Sequence, residues 1–357
     1  MIYLDNAATT GKKPSSVINA VNYALTNLSA NPGRSGHALS LKAAEAVFNV
    51  RRKLAKMYNC EPTSVCFTQG CTTSLNMAIA NIPNGHIACS NLEHNSVLRP
   101  LQNKNYSFFN DHPKEVVRPD TVAVICTHAS NVSGKIFDIE NIAKYCKEKG
   151  LMFIVDAAQT AGVLDIDSCN IDYLCIAAHK GLYAPMGIGI LIANKEPKKV
   201  IIKGGTGSAS QSLKQPDFLP DMLESGTINV PGILGVSAGI EFIKNKSIYE
   251  HELYLTKPVY EALLNNKKIT VVSSKQEKGV ATPIVSFNIN GKKSEEIAQE
   301  LSKRGIATRG GYHCSLIAHK TLNTENVGAV RLSPSVFNNK NEMQFVLNEI
   351  YKIVKQA

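Results

Sequence analysis

Tyr173-Leu174-Cys175-Ile176-Ala177-Ala178-His179-Lys180-Gly181-Leu182-Tyr183-Ala184-Pro185-Met186-Gly187-Ile188-Gly189-Ile190-Leu191-Ile192-Ala193 is the stretch that decides the fold. It holds two apolar runs, 173–178 and 188–193, on either side of a loop rich in Gly and Pro that opens on a His-Lys pair. Runs of this length, bounded by turn residues, read as buried strands. A lysine at the end of a strand is in most proteins a surface charge. Open α/β sheets, however, bind their ligands at the carboxyl ends of strands, so a polar pair in that place has to be weighed as part of a site.

Working outward, similar short apolar runs occur at 65–68, 87–89, 122–127 and 152–155, several separated by helical patterns. That rhythm predicts a largely parallel sheet covered by helices. The clearest cover runs from Asp138 to Lys149, with Asp138 as cap, Ile139, Ile142, Ala143 and Cys146 on one face and Gly150 as stop. Upstream, Val17, Ile18, Val21, Ala24, Leu25 and Leu28 predict a helix over 15–28 capped by Ser15 or Ser16, and a second helix is predicted from Ser40. Beyond about residue 245 the texture becomes mixed, with strands predicted at 283–289, 306–309 and 329–333 and helices at 294–304 and 340–355. Two domains are therefore expected, a large one over 15–245 and a smaller α+β one built from 1–14 and 246–357.

The chain has 357 residues, 44% of them hydrophobic, but no run approaches the roughly 20 apolar residues of a membrane helix. Asp5 interrupts the N-terminus before a signal-peptide core forms, which leads us to expect a soluble, cytoplasmic protein without membrane association. Nine cysteines without a C-x-x-C pair read as reduced thiols rather than a disulfide framework or a zinc site. A formal net charge of +10 raises nucleic acid or an acidic protein as partners. Dispersed lysines and the lack of a binding motif make a solvated surface the better reading.

Polar residues follow several of the apolar runs. Phe67-Thr68-Gln69-Gly70-Cys71-Thr72-Thr73-Ser74 passes through a glycine turn into a helix, whose first amides attract an anion; Thr and Ser also cap helices with no ligand present. Asn91-Leu92-Glu93-His94 and Thr127-His128-Ala129-Ser130-Asn131 follow two more runs. Asp156 follows the run at 152–155 and opens Asp-Ala-Ala-Gln-Thr-Ala-Gly, more than a helix cap requires.

Together these residues resemble the class V aminotransferase superfamily, in particular the cysteine desulfurases and selenocysteine lyases. The resemblance spans the chain: Tyr3-Leu4-Asp5-Asn6-Ala7-Ala8, VDAAQTAG at 155–162, AAHKGLYAPMGIGIL at 177–191, SGTINVPGILG at 225–235 and RGGYHC at 309–314, in the family's order. It implies the fold of type I pyridoxal-phosphate-dependent transferases, an α/β large domain with a mostly parallel sheet flanked by helices plus a smaller α+β C-terminal domain. It implies pyridoxal 5'-phosphate as cofactor, carried by Lys180, which also moves protons at the substrate Cα. Asp156 would hold the ring-nitrogen proton, a task for a buried carboxylate. His94 would stack on the ring, Gln159 and Asn131 hold the phenolic oxygen, and Thr72, the amides near Cys71 and His179 bind phosphate. Thr227 would reach the phosphate across a homodimer interface.

In the small domain, Cys314 would supply the thiolate that attacks the substrate sulfur; a lone cysteine is otherwise most often a small buried apolar residue. Arg331 would pair with the substrate carboxylate, and Arg309, Asn31 and His37 are the other substrate-side residues. The implied reaction converts L-cysteine to L-alanine, leaves a persulfide on Cys314 and hands the sulfur to an acceptor. Selenocysteine cleavage, or another class V aminotransferase or lyase activity, stands as the alternative. Two departures from the pattern matter: Tyr312 stands where a histidine is common, and the stretch from Leu98 to Thr121 is short.

Overall fold

The computed structural model describes residues 1–33 and 35–356. The chain opens on a two-residue strand, β1 (Ile2–Tyr3), and continues into helices α1 (Ser15–Asn27) and α2 (Ala38–Tyr58). Two details differ from the sequence reading. Pro14 is the residue before α1 and no side chain caps the helix, so both serines lie inside its first turn. The second helix starts at Ala38 because His37 Nδ1 accepts from the Ser40 amide, satisfying one of the donors that a helix start leaves open.

Next come β2 (Val65–Thr68), α3 (Cys71–Ala80), β3 (His86–Ser90), α4 (Asn95–Leu98), β4 (Asn105–Phe109), β5 (Thr121–Thr127), α5 (Ile139–Lys149), β6 (Met152–Asp156), β7 (Tyr173–Ala177) and β8 (Gly189–Ala193). Seven of these are strands of one sheet, in the order β2-β8-β7-β6-β5-β3-β4. The strands from β7 to β4 run parallel, while β8 is antiparallel to both its neighbours. Every residue of β3, β6, β7 and β8 is buried, the condition of a sheet covered on both faces. Side chains alternate accordingly. Val124, Cys126, Phe153, Val155, Leu174 and Ile176 pack with α2 and α5, whereas Ala123, Ile125, Met152, Ile154, Tyr173 and Cys175 pack with α3. Asp138 caps α5 through the Asn141 amide, and Gly150 ends it in the left-handed conformation, φ 66°.

The helix α6 (Val230–Ile243) lies against α1 and over the loop that follows β7. A Cβ on Gly239 would come 1.9 Å from the Leu182 carbonyl oxygen, so the helix can approach the loop only where it carries no side chain.

The remainder comprises α7 (Ile248–Leu264), β9 (Ile269–Val271), β10 (Val285–Ile289), α8 (Ser294–Lys303), β11 (Ile306–Ala307), α9 (Leu316–Thr321), β12 (Val330–Leu332) and α10 (Lys340–Lys355). An antiparallel sheet β12-β10-β9 carries α7, α8 and α10 on a core of its own, which Leu4 from the N-terminus joins. The chain's start is fixed there by parallel pairing of β1 with β11. The strand predicted over 306–309 is cut to two residues; Arg309 instead forms an isolated bridge with Arg331 of β12. No helix among the described residues is long and apolar enough to cross a membrane.

Candidate active site

The carboxyl ends of the parallel strands converge on a cavity of about 440 Å³, within the range of small-molecule sites. Its wall includes Gly70, Cys71 and Thr72 at the start of α3, His94 before α4, Asp156 at the end of β6, and Lys180 in the turn after β7. Two distant segments complete it: Ala7 and Ala8 from the N-terminus, and Arg309, His313 and Arg331 from the C-terminal part.

Asp156 is buried, and its Oδ1 accepts from the Ala158 amide at 2.9 Å. Burial pushes the Lys180 amine below its ordinary range, against the opposing pull of Asp156, which favours the reactive neutral amine. His94 lies in the α4 cap, Nδ1 accepting from the Ser96 amide at 3.1 Å, so the ring proton sits on Nε2. Burial also lowers its pKa, which keeps the ring neutral. His179 reaches Thr9 Oγ1 through Nδ1 at 3.0 Å and is pushed down to about 4 by burial. Gln159 Nε2 donates to the Ala7 carbonyl at 3.1 Å, and Thr72 Oγ1 lies 2.8 Å from Ser96 Oγ.

The arginines are partnered within the fold. Arg331 is 1% exposed, with NH2 on Asp5 Oδ1 at 2.7 Å and NH1 on the Asn131 carbonyl at 3.0 Å; its Nε is buried without a hydrogen-bond partner. An unsatisfied buried donor of this kind carries a desolvation cost. Arg309 NH2 lies 3.6 Å from Cys314 Sγ, which brings the exposed thiol to the rim of the cavity. His313 and Cys314 both adopt positive φ, 50° and 56°, a conformation rare for side-chain-bearing residues. Asn131 secures this turn: Nδ2 donates to the His313 carbonyl at 2.8 Å and Oδ1 accepts from Ser315 Oγ at 2.8 Å. His313 itself turns inward, its Nε2 on the Ala329 carbonyl and its pKa pushed down to about 2 by burial.

Three predicted residues lie apart. His37 is exposed and spent on capping α2. Asn31 lines a different cavity with Arg51, Glu224 and Ile228. Thr227 is exposed and does not line the chain's own cavity. Conversely, sequence reasoning gave no role to Asp5, the carboxylate that neutralises Arg331, although the motif around it was visible. It also passed over Glu93, fully buried, with Oε1 accepting from Ser90 Oγ at 2.6 Å and its pKa raised to about 8 by burial.

A strand-end carboxylate, an adjacent amine of lowered pKa and a helix start together offer places for a cationic ring nitrogen, a carbonyl carbon and an anion. Known proteins resemble the chain along its whole length. Residues 2–346 match the family described as class V aminotransferases. A probable cysteine desulfurase of Pyrococcus abyssi is 30% identical, over 99% of this chain and 94% of that protein. One from Borreliella burgdorferi is 29% identical, over 100% and 92%. The apo structure of a cysteine desulfurase from Thermococcus onnurineus superposes with a TM-score of 0.90 at 27% identity, covering all of this chain and 95% of that one. The fold is that of type I pyridoxal-phosphate enzymes, and the chain belongs to the class V aminotransferases, within their cysteine desulfurase family.

Proposed function

We propose that this protein is a pyridoxal-phosphate-dependent cysteine desulfurase, converting L-cysteine to L-alanine and leaving the sulfur as a persulfide on Cys314. The observation that carries the reading is the meeting of two halves at one cavity: Lys180 beside Asp156 in its wall, and the Cys314 thiol held at its rim by Arg309. The residues present fit the cofactor. Lys180 would be the attachment amine, Asp156 would hold the ring-nitrogen proton, His94 would stack on the ring, Gln159 would serve its phenolic oxygen, and the α3 start with Thr72 and His179 would take the phosphate. Asn131 adds the hydrogen bonds that fix the Cys314 turn.

Pyridoxal phosphate, when bound, supplies a sink for the electron pair left at the substrate Cα. Lys180 takes the Cα proton, a role that burial favours by lowering the amine's pKa. Arg331, in the cavity wall, would take the substrate carboxylate, while Asp5 holds the guanidinium in place. Arg309 sets a positive charge against the Cys314 sulfur, the environment in which a thiolate acts as nucleophile. The S–S bond forms as the substrate C–S bond breaks, and carbon receives a proton to give alanine, so the reaction balances without an external oxidant. A sulfur acceptor then removes the persulfide.

Residues 15–245 form the large domain of this reading, and 1–14 with 246–357 the small one. A homodimer follows: Thr227 lies outside its own cavity, and Ile18, Leu25, Leu39 and Leu41 expose half or more of their surface on α1 and α2. All nine cysteines are free, which supports a reducing compartment such as the cytoplasm.

The test combines spectra and products. Wild-type protein reconstituted with pyridoxal phosphate is expected to absorb in the near-visible and to lose that band in Lys180→Ala. It is expected to release alanine from L-cysteine and to gain one sulfur on Cys314, removable by reductant, while Cys314→Ala keeps the band and releases almost no alanine. Unchanged cysteine turnover in Cys314→Ala overturns the persulfide reading. Failure to take up the cofactor overturns the whole of it.

A further inference from the structure

Cys71 occupies the first position of α3, partly buried and in the wall of the cavity. Its Sγ lies 3.5 Å from Asp156 Oδ1, the oxygen that also accepts from the Ala158 amide. Burial, followed by the charge of Asp156, pushes the thiol well above its ordinary range, so the sulfur keeps its proton and acts as a donor. Asp156 Oδ2 makes no hydrogen bond to another described residue. The other titratable groups facing this pair are Lys180 and His94 in the cavity, Glu93 behind it, and Cys175, the register partner of Asp156 on β7.

We infer that Cys71 is a positioning residue: its thiol donates to Asp156 Oδ1, fixing the rotation of the carboxylate and leaving Oδ2 as the oxygen available to the cofactor's ring nitrogen. The inference rests on the cofactor reading above. Its physical basis is that a donor on one carboxylate oxygen both favours the charged form and fixes the rotation of the group. The amide of Ala158 does part of this from the backbone. Cys71 supplies the side-chain component, from a helix that also takes the phosphate, and so couples the two ends of the cofactor site. Without the thiol, the carboxylate carries more of its charge unshared, which favours the protonated state of the cationic groups nearby.

Two variants separate this role from packing. Cys71→Ser retains an O–H donor and Cys71→Ala does not. On the reconstituted enzyme, Cys71→Ala is expected to raise the pH midpoint of the cofactor's visible band and to lower kcat about tenfold, the effect of losing one modest charge-assisted hydrogen bond. Cys71→Ser restores both towards wild type. Identical midpoints in wild type and Cys71→Ala, or a Cys71→Ser variant that behaves as Cys71→Ala, overturns the inference. A second measurement needs no cofactor. In the apo protein, Cys71 should react faster with iodoacetamide at a fixed pH in Asp156→Asn than in wild type, because the charge that opposes its ionisation is gone; equal rates overturn the coupling. A protein that never binds pyridoxal phosphate defeats the functional reading and is told apart by this apo measurement.

Discussion

Glu252 on α7 is buried beneath the loop that carries Tyr183, and burial raises its pKa to about 8. Replacing it with Gln removes a titration at a smaller cavity behind Lys180 and leaves the cavity that Asp156 lines unaltered. The sign follows from linkage. Below pH 4.5 the carboxyl is protonated in folded and unfolded chains alike; between 4.5 and about 8 only the folded chain keeps the proton. The unfolded state then binds fewer protons, and stability falls by about 1.4 kcal/mol per pH unit. From pH 5 to pH 8 the loss attributable to Glu252 is about 4 kcal/mol, and it levels off above. Buried neutral histidines act in the opposite direction at lower pH. His128 and His179, each pushed down to about 4, add stability as pH rises towards the ordinary 6.5. The informative quantity is therefore the difference between wild type and Glu252→Gln, in which those contributions cancel. Urea unfolding of both apo proteins at pH 5, 6, 7 and 8 is expected to show the variant gaining on wild type by about 4 kcal/mol across the series. A difference that stays flat over these three pH units refutes the claim that Glu252 is neutral in the fold.

Other consequences are more local. Arg51 and Glu224 form a buried pair whose side chains are 8% and 7% exposed, bound also to the Val65 carbonyl and the Phe67 amide of β2; Glu224→Ala should cost about 3–5 kcal/mol in urea unfolding, since it strands the guanidinium. Gly239→Ala places a methyl 1.9 Å from the Leu182 carbonyl oxygen, and a loss of about 3 kcal/mol or more, with weakened cofactor uptake at Lys180, is expected from thermal melts and spectral titration. For the dimer, mixing Lys180→Ala chains with Thr227→Ala chains should recover part of the activity, because one composite site is then whole; strictly monomeric protein by sedimentation rules this out.

The sheet was legible because its strands are buried on both faces. Continuous apolar runs such as Phe153-Ile154-Val155 fit strands with both faces covered, and the predicted bounds of β2, β6, β7 and β8 lie within a residue of those observed. The helix α6 was not read, since Pro231, Gly232, Gly235 and Gly239 look like loop residues and it is apolar without one clear face; it is stable because glycine lets it meet the 181–184 turn. The strand β4 escaped for the opposite reason: it lies at the edge of the sheet, only one of its five residues is buried, and no apolar run marks it.

The site divides in the same way, between what one segment dictates and what only folding joins. Asp156, Lys180 and the start of α3 are set by strand ends, so local sequence locates them. The state of Arg331 is not local. Asp5 neutralises it from 326 residues away, while Asn131 binds it through a carbonyl and clamps the Cys314 turn through its amide. These contacts make the N-terminal segment, the loop after β5 and the thiol-bearing turn one mechanical unit. A substitution at Asp5 then acts on two things at once: it leaves the charge of Arg331 buried without a counter-ion, and it loosens the arginine that hydrogen-bonds to the same Asn131 that fixes Cys314. The opening Leu4-Asp5-Asn6-Ala7-Ala8 motif is thus explained by its position beneath the cavity, with Leu4 in the C-terminal core, Asp5 on Arg331 and Ala7 under Gln159.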